Sequence, residues 1–132
     1  MESVSKFNKA FMIKFITTLV VGKPSHDAVI EDVKPYLASN FVQVGNGEEK
    51  KYEDVIEHLV KLREMFSKIR FHIEDLIVDK EQKIVADRHT VYINMKDGTE
   101  RTQSILAIYH YNDDGKFTRL YYSVHDVPRL PS

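Results

Sequence analysis

Apolar residues recur at spacings of three and four in the N-terminal part of the chain and alternate with polar ones in the C-terminal half. Val4, Phe7, Phe11, Phe15 and Thr18 mark one face of a helix from about Ser3 to Val21, ended by Gly22-Lys23-Pro24. Ser25 suits the N-cap of a short second helix with Asp27 in its first turn, and Pro35 limits that helix. Phe41–Val44 reads as a short strand closed by Gly45-Asn46-Gly47. From Tyr52 to Phe66, an apolar stripe of Val55, Leu59, Leu62 and Phe66 excludes Glu53, Glu57, Lys61 and Glu64, which predicts a third amphipathic helix. Four strand-like runs follow: Ile69–Val78, Lys83–Met95, Thr99–Tyr111 and Lys116–Val127. Asp97-Gly98 and Asp114-Gly115 are hairpin signals between the later runs. Helices first and strands afterwards predict an α+β fold, with the three helices packed on one face of an antiparallel sheet.

Three-residue loops ending in Gly98 and Gly115 set Arg88 opposite Leu106, and Leu106 opposite Tyr122. A first hairpin around Lys80-Glu81-Gln82 sets Glu74 across from Arg88. Alternation then gives the even-numbered residues one common face, which carries His72, Glu74, Arg88, Tyr92, Asn94, Ser104, His110 and Tyr122. The odd face carries Val85, His89, Val91, Ile93, Ile105, Tyr109 and Tyr121. Neither face is plainly polar, so one is expected under the helices and the other against a partner.

The length of 132 residues suits one domain, 1–132, with 127–132 as a tail. Nineteen basic side chains nearly balance twenty acidic ones, which argues against a nucleic-acid or anionic-membrane partner. There is no cysteine, hence no disulfide, thiolate metal site or cysteine nucleophile. The stretch Ala10–Gly22 loosely matches a secretory h-region, but Lys14 within it and Glu2 before it favour an amphipathic helix. A soluble, cytoplasmic protein is the expectation.

Within the even face, His72 with Glu74 and Arg88 is the leading candidate for chemistry. Histidine can shuttle a proton near neutral pH, and Arg88 can hold an acidic or carbonyl group. Tyr92 and Tyr122 add hydroxyl donors, while Gln43, Asn94, Ser104 and His110 complete a ligand-binding set. The competing reading is that Glu74 and Arg88 only neutralise each other while His72 fills a polar gap. His72, His89, His110 and His125 lie on four strands but are split between faces, so no metal site is expected. The tyrosines of the odd face (Tyr109, Tyr111, Tyr121) suit an interface.

The segments Tyr36–Val44, Phe71–Asp75, Lys83–Arg88, Lys96-Asp97-Gly98 and Gly115-Lys116-Phe117 together resemble the SnoaL-like branch of the nuclear transport factor 2-like superfamily. The resemblance covers most of the chain. It implies a cone-shaped roll with a pocket between helices and concave sheet, and a homodimer formed through the outer sheet face. The superfamily holds isomerases, dehydratases, polyketide cyclases, epoxide hydrolases and binding domains without catalysis. Val44 stands where similar isomerases place a catalytic aspartate, and Tyr122 where similar cyclases place one. His72 matches a dehydratase histidine whose second member would fall at Asn94. The expected function is therefore a small-molecule-binding domain with an apolar pocket, a polar anchor and no cofactor. One alternative is a lyase or isomerase acting on a small carbonyl compound, with His72 as base and Arg88 or Tyr122 polarising the carbonyl. The other is a dimeric protein-interaction domain.

Overall fold

Asn8 accepts the Phe11 backbone N–H at 2.8 Å and thereby opens the first helix, α1 (Lys9–Val20). This cap starts the helix later than the apolar stripe implied, although Phe7 ahead of it is still buried. The computed structural model describes residues 6–127, so Val4 of that stripe lies outside the described residues. Ser25 caps α2 (His26–Val33) by accepting from Ala28 N–H at 3.3 Å. The third helix, α3 (Tyr52–Met65), buries Val55, Ile56, Leu59 and Arg63. Its inward stripe is thus rotated from the expected one, and an arginine takes the place of Leu62 or Phe66.

The strands are β1 (Leu37–Gly45), β2 (Glu48–Lys51), β3 (Phe66–Asp79), β4 (Ile84–Met95), β5 (Glu100–Tyr111) and β6 (Phe117–Asp126). They form one sheet in the order β2-β1-β6-β5-β4-β3, antiparallel except for the parallel pair β1 and β6. The expected α+β class holds. The β1–β2 hairpin is an addition: Asn46 and Gly47 both take positive φ, 52° and 76°, as a two-residue turn between twisted strands requires. Gly98 and Gly115 take φ of 92° and 76° in the β4–β5 and β5–β6 turns, as the Asp-Gly signals predicted. The core lies between the helices and one face of the sheet, where Met12, Phe15, Val33 and Ile56 meet Ile73, Val85, Ala107 and Phe117. Ring contacts tie the two layers, with Phe15 to Phe117 at 4.9 Å and Phe15 to Tyr109 at 5.8 Å between centroids.

Two irregularities correct the expected register. Arg88 does face Leu106, but Leu106 pairs with Ser123, and Tyr122 pairs with Ala107. The pairing near the turn is Tyr111 with Phe117, and a bulge after it shifts β6 by one residue. A one-residue slip turns every later side chain over, so Leu120 and Tyr122 face inward and Tyr121 outward. On β3 a bulge between Ile73 and Asp75 leaves Asp75, not Glu74, opposite Arg88.

The expected choice of faces is also corrected. On β4 the buried residues are Val85, Asp87, His89, Val91 and Ile93, so the odd face lies inward, while Arg88, Tyr92 and Asn94 are exposed. The tyrosine interface expected there is divided: Tyr109 is buried, Tyr111 packs against the core, and Tyr121 is exposed on the other side.

Candidate functional site

In the interior, three side chains oppose the rule that buried positions are apolar. Among the described residues the buried polar or charged ones are Arg63, Asp87 and His89. Arg63 is explained by its partners. It donates from Nε to Leu19 O at 3.1 Å, from Nη2 to Thr18 O, and from Nη1 to Lys23 O at 3.0 Å and Asp32 Oδ2 at 2.9 Å. Those carbonyls include two of the last four of α1, which have no partner within the helix. Arg63 is therefore a structural tie between helix ends.

Asp87 and His89 are different. They sit two residues apart on β4, on the same face, where strand geometry brings alternate side chains together. His89 Nδ1 and Asp87 Oδ1 are 2.6 Å apart, and the residues are 3 % and 2 % exposed. With Asp87 as a carboxylate, which only accepts, this contact requires the ring proton on Nδ1. Asp87 Oδ2 is the buried side-chain oxygen without a hydrogen-bond partner among the described residues. Such a group costs about 1–3 kcal/mol when left unmet, so its retention in a packed interior calls for a reason. Around the pair the walls are apolar: Ile73 and Ile105 flank His89 on the neighbouring strands, and the Phe71 ring lies edge-on at 6.1 Å. Burial, and secondarily the charge of Asp87, holds the Tyr109 phenol well above its ordinary ionisation range, so Tyr109 stays a neutral hydroxyl.

The row of inward positions through Asp87 runs across the sheet as Gly45, Tyr122, Ala107 and Asp87. Ala107 keeps the space between Tyr122 and Asp87 free of a larger side chain, and those two strands lie roughly 10 Å apart. Gly45 lets the Tyr122 ring lie across β1, since a Cβ there would come 2.2 Å from the ring. Gln43 Nε2 donates to Tyr122 Oη at 3.5 Å, which leaves the phenol's own proton available to another acceptor.

The remaining residues singled out from the sequence lie on the outer face. His72 pairs with Glu74 at 3.6 Å, with side chains 66 % and 31 % exposed, and Thr90 Oγ1 donates to Glu74 at 3.1 Å. Arg88 pairs with Asp75 at 2.9 Å rather than with Glu74. Tyr92 stacks under Arg70, Asn94 is exposed, Ser104 lies in a row with Thr90 and His125, and the His110 ring meets Tyr121. The structure thus brings Gln43 and Tyr122 inward and separates them from His72, Glu74, Arg88, Tyr92, Asn94, Ser104 and His110. Asp87 and His89 as a pair were missed. Their signal was present as two polar residues at alternate positions between Val85, Val91 and Ile93 on the face that the helices cover.

Two surface clefts, of about 380 and 390 Å³, lie elsewhere. The first, between β2 and α3, mixes four carboxylates with Lys50, Lys61 and His58; burial and then the two lysines lower the His58 pKa. No group of three or more metal-ligating side chains is assembled among the described residues, and no described helix is long and apolar enough to cross a membrane.

No protein-family model matches the sequence, and no curated protein matches it. Solved structures do match. PrhC from Penicillium brasilianum superposes with a TM-score of 0.69 at 14 % identity, covering 88 % of this chain and 78 % of PrhC. An NTF2-like protein of unknown function from Exiguobacterium gives 0.68 at 18 % identity, covering 88 % of this chain and 98 % of its own. BvnE, a pinacolase from Penicillium brevicompactum, gives 0.67 at 12 % identity, covering 84 % and 80 %.

Proposed function

Because this chain has the nuclear transport factor 2-like fold, we propose that it binds a small uncharged molecule bearing a carbonyl or hydroxyl group against the inner face of its sheet. The observation that carries this reading is the buried Asp87–His89 pair with its one unmet carboxylate oxygen. Ligand sites are mostly apolar with a few placed polar groups, and this face has that composition. Asp87 and His89 supply an acceptor and a proton-exchanging ring, while Tyr122, oriented by Gln43, supplies a hydroxyl on the far side of Ala107. The likeness to BvnE, itself a pinacolase, supports small-molecule chemistry on this fold without naming the compound.

A thermal-shift screen of uncharged aromatic, alicyclic and steroid-like ketones and alcohols tests the proposal, since a ligand of the native state raises Tm by mass action. Stabilising compounds should lose their effect in His89→Gln and Tyr122→Phe and keep it in His72→Ala and Arg88→Ala. The opposite pattern would move the site to the outer face and to the His72–Glu74 and Arg88 group. A screen without any stabilising compound would refute binding of this class.

A further inference from the structure

Of the five asparagines in the chain, Asn46 alone precedes a glycine. An asparagine amide carbon can close a five-membered ring with the main-chain nitrogen of the next residue, and the chief obstacle is that residue's side chain. Gly47 has none, and a Cβ built on it would meet nothing within 4 Å. Both residues are exposed. The asparagines that cap or turn elsewhere are held differently: Asn8 accepts the Phe11 N–H at 2.8 Å, and Asn112 Oδ1 accepts from the Asp114 and Lys116 N–H groups at 3.0 Å each. Ring closure carries the Asn46 main chain out of the hairpin conformation, so it needs the β1–β2 hairpin to open. That opening is local. β2 has four residues, Glu48-Glu49-Lys50-Lys51, none apolar and none in the core, and it lies at the sheet edge with β1 as its strand neighbour. Segments with few buried contacts open far more often than the whole molecule unfolds.

We infer that Asn46 is a site of self-modification, converted to isoaspartate in the folded protein, and that the product releases β2 from the sheet. The Gly47 nitrogen loses its proton and bonds to Asn46 Cγ, and the side-chain nitrogen leaves as ammonia. Water then opens the cyclic imide. Attack at Cγ gives aspartate, and attack at the main-chain carbonyl gives isoaspartate, with no redox change in either case. Isoaspartate runs the main chain through its own Cβ and Cγ, which adds a backbone carbon to a two-residue turn. The pairing of Gly45 with Glu48 depends on that turn length, because loop length sets hairpin register. The freed carboxylate also adds a negative charge beside Glu48 and Glu49, which raises like-charge repulsion in the short strand. β2 forms one wall of the cleft with α3 through Glu48, Glu49 and Lys50, so the change reaches that cleft. This inference is independent of the ligand reading of the inner face.

The test is incubation of the full chain in mildly alkaline heavy-oxygen water, followed by mass spectrometry of the fragment containing Asn46. Loss of ammonia with uptake of one solvent oxygen reads the conversion, and labelling by an isoaspartate methyltransferase reads the isomer. A free peptide of the sequence around Asn46-Gly47 sets the unrestrained rate. The folded protein should react within about 100-fold of that peptide, as local opening allows. A reaction that waits for global unfolding would run about 10³-fold slower or more. Urea below the unfolding transition should leave the local route nearly unchanged. Asn46→Gly keeps a residue that takes positive φ freely, so the hairpin stays and the conversion should vanish. In the purified isoaspartate form, amide hydrogen exchange should show β2 unprotected while β4 and β5 keep their protection. A folded chain that stays unmodified while the peptide converts would overturn the inference. So would a rate that follows global unfolding in urea, conversion persisting in Asn46→Gly, or β2 exchange unaltered by isoaspartate.

Discussion

Tyr109 shows how one buried hydroxyl carries a pH dependence of its own. Burial first, and the Asp87 charge second, raise its pKa well above the ordinary value of 10.0. In the unfolded chain the phenol ionises near that ordinary value, whereas in the folded chain it does not. The folded state therefore holds the extra proton at high pH, and its stabilising contribution, full below about pH 10, is lost as pH rises beyond it. Urea unfolding followed from pH 8 to 11 should show stability falling more steeply in wild type than in Tyr109→Phe. The difference in slope should approach, at most, about 1.4 kcal/mol per pH unit. Equal slopes would mean that the Tyr109 hydroxyl reaches solvent. Phe at this position keeps the ring contacts with Phe15 and Phe117, so the comparison isolates the hydroxyl.

Among elements, the tie made by Arg63 matters most, because it joins α3 to the end of α1 and to Asp32 of α2. Arg63→Met keeps the volume but leaves the Thr18 and Leu19 carbonyls without this donor, and should cost about 1–3 kcal/mol for each carbonyl left unmet. Arg63→Lys should recover little, since an ammonium cannot reproduce the planar fork that spans these acceptors. Asp32 is 42 % exposed in its side chain, so Asp32→Asn should cost about 1 kcal/mol or less. Denaturant midpoints would separate the three. Such ties are poorly legible in sequence, where Arg63 reads as one more charge on an amphipathic helix. Element order, the three helices and the long strands were legible because their periods persist over many residues. The Asn46-Gly47 hairpin was legible in principle, and its flanking strand Glu48–Lys51 is hidden by having no apolar residue. The faces were not legible. Single extra residues at the β3 and β6 bulges reverse every side chain beyond them, and Asp87 and His89 make the buried face of β4 look polar. The candidate site followed the faces: Gln43 and Tyr122 came out inward, and the residues grouped with them came out on the opposite side.

For the molecule as a whole, the outer face of the sheet bears on how the chain exists in solution. One row across it reads Ile77, Ala86, Ile108, Tyr121 and Val44, with Leu106 beside it. Ile77 is 68 % exposed and Leu106 53 %, while Ile108 and Tyr121 are also open to solvent. Near this row Arg88 is paired with Asp75 at 2.9 Å, and Arg119 stacks on Tyr121. A face that is apolar along one line and has its flanking Arg88 already paired suits a strongly charged partner poorly. It suits a second copy of itself, where a two-fold axis sets equal patches together. The expected outcome is a dimer by sedimentation equilibrium in the micromolar range, shifted to monomer by Ile108→Glu or Leu106→Glu without loss of Tm beyond the loss of association itself. Both positions face outward on a central strand, so a charge there disturbs no core contact. A monomeric wild type would assign the row to a different apolar partner. A dimer untouched by either glutamate would place the interface on an edge of the sheet, where the fourteen-residue β3 carries its free hydrogen-bonding groups. Because His89 and Asp87 lie on the inward side of the sheet, dissociation at the outer face should leave ligand binding at the inner face intact, and measuring both on the same variant would show whether the two faces act independently.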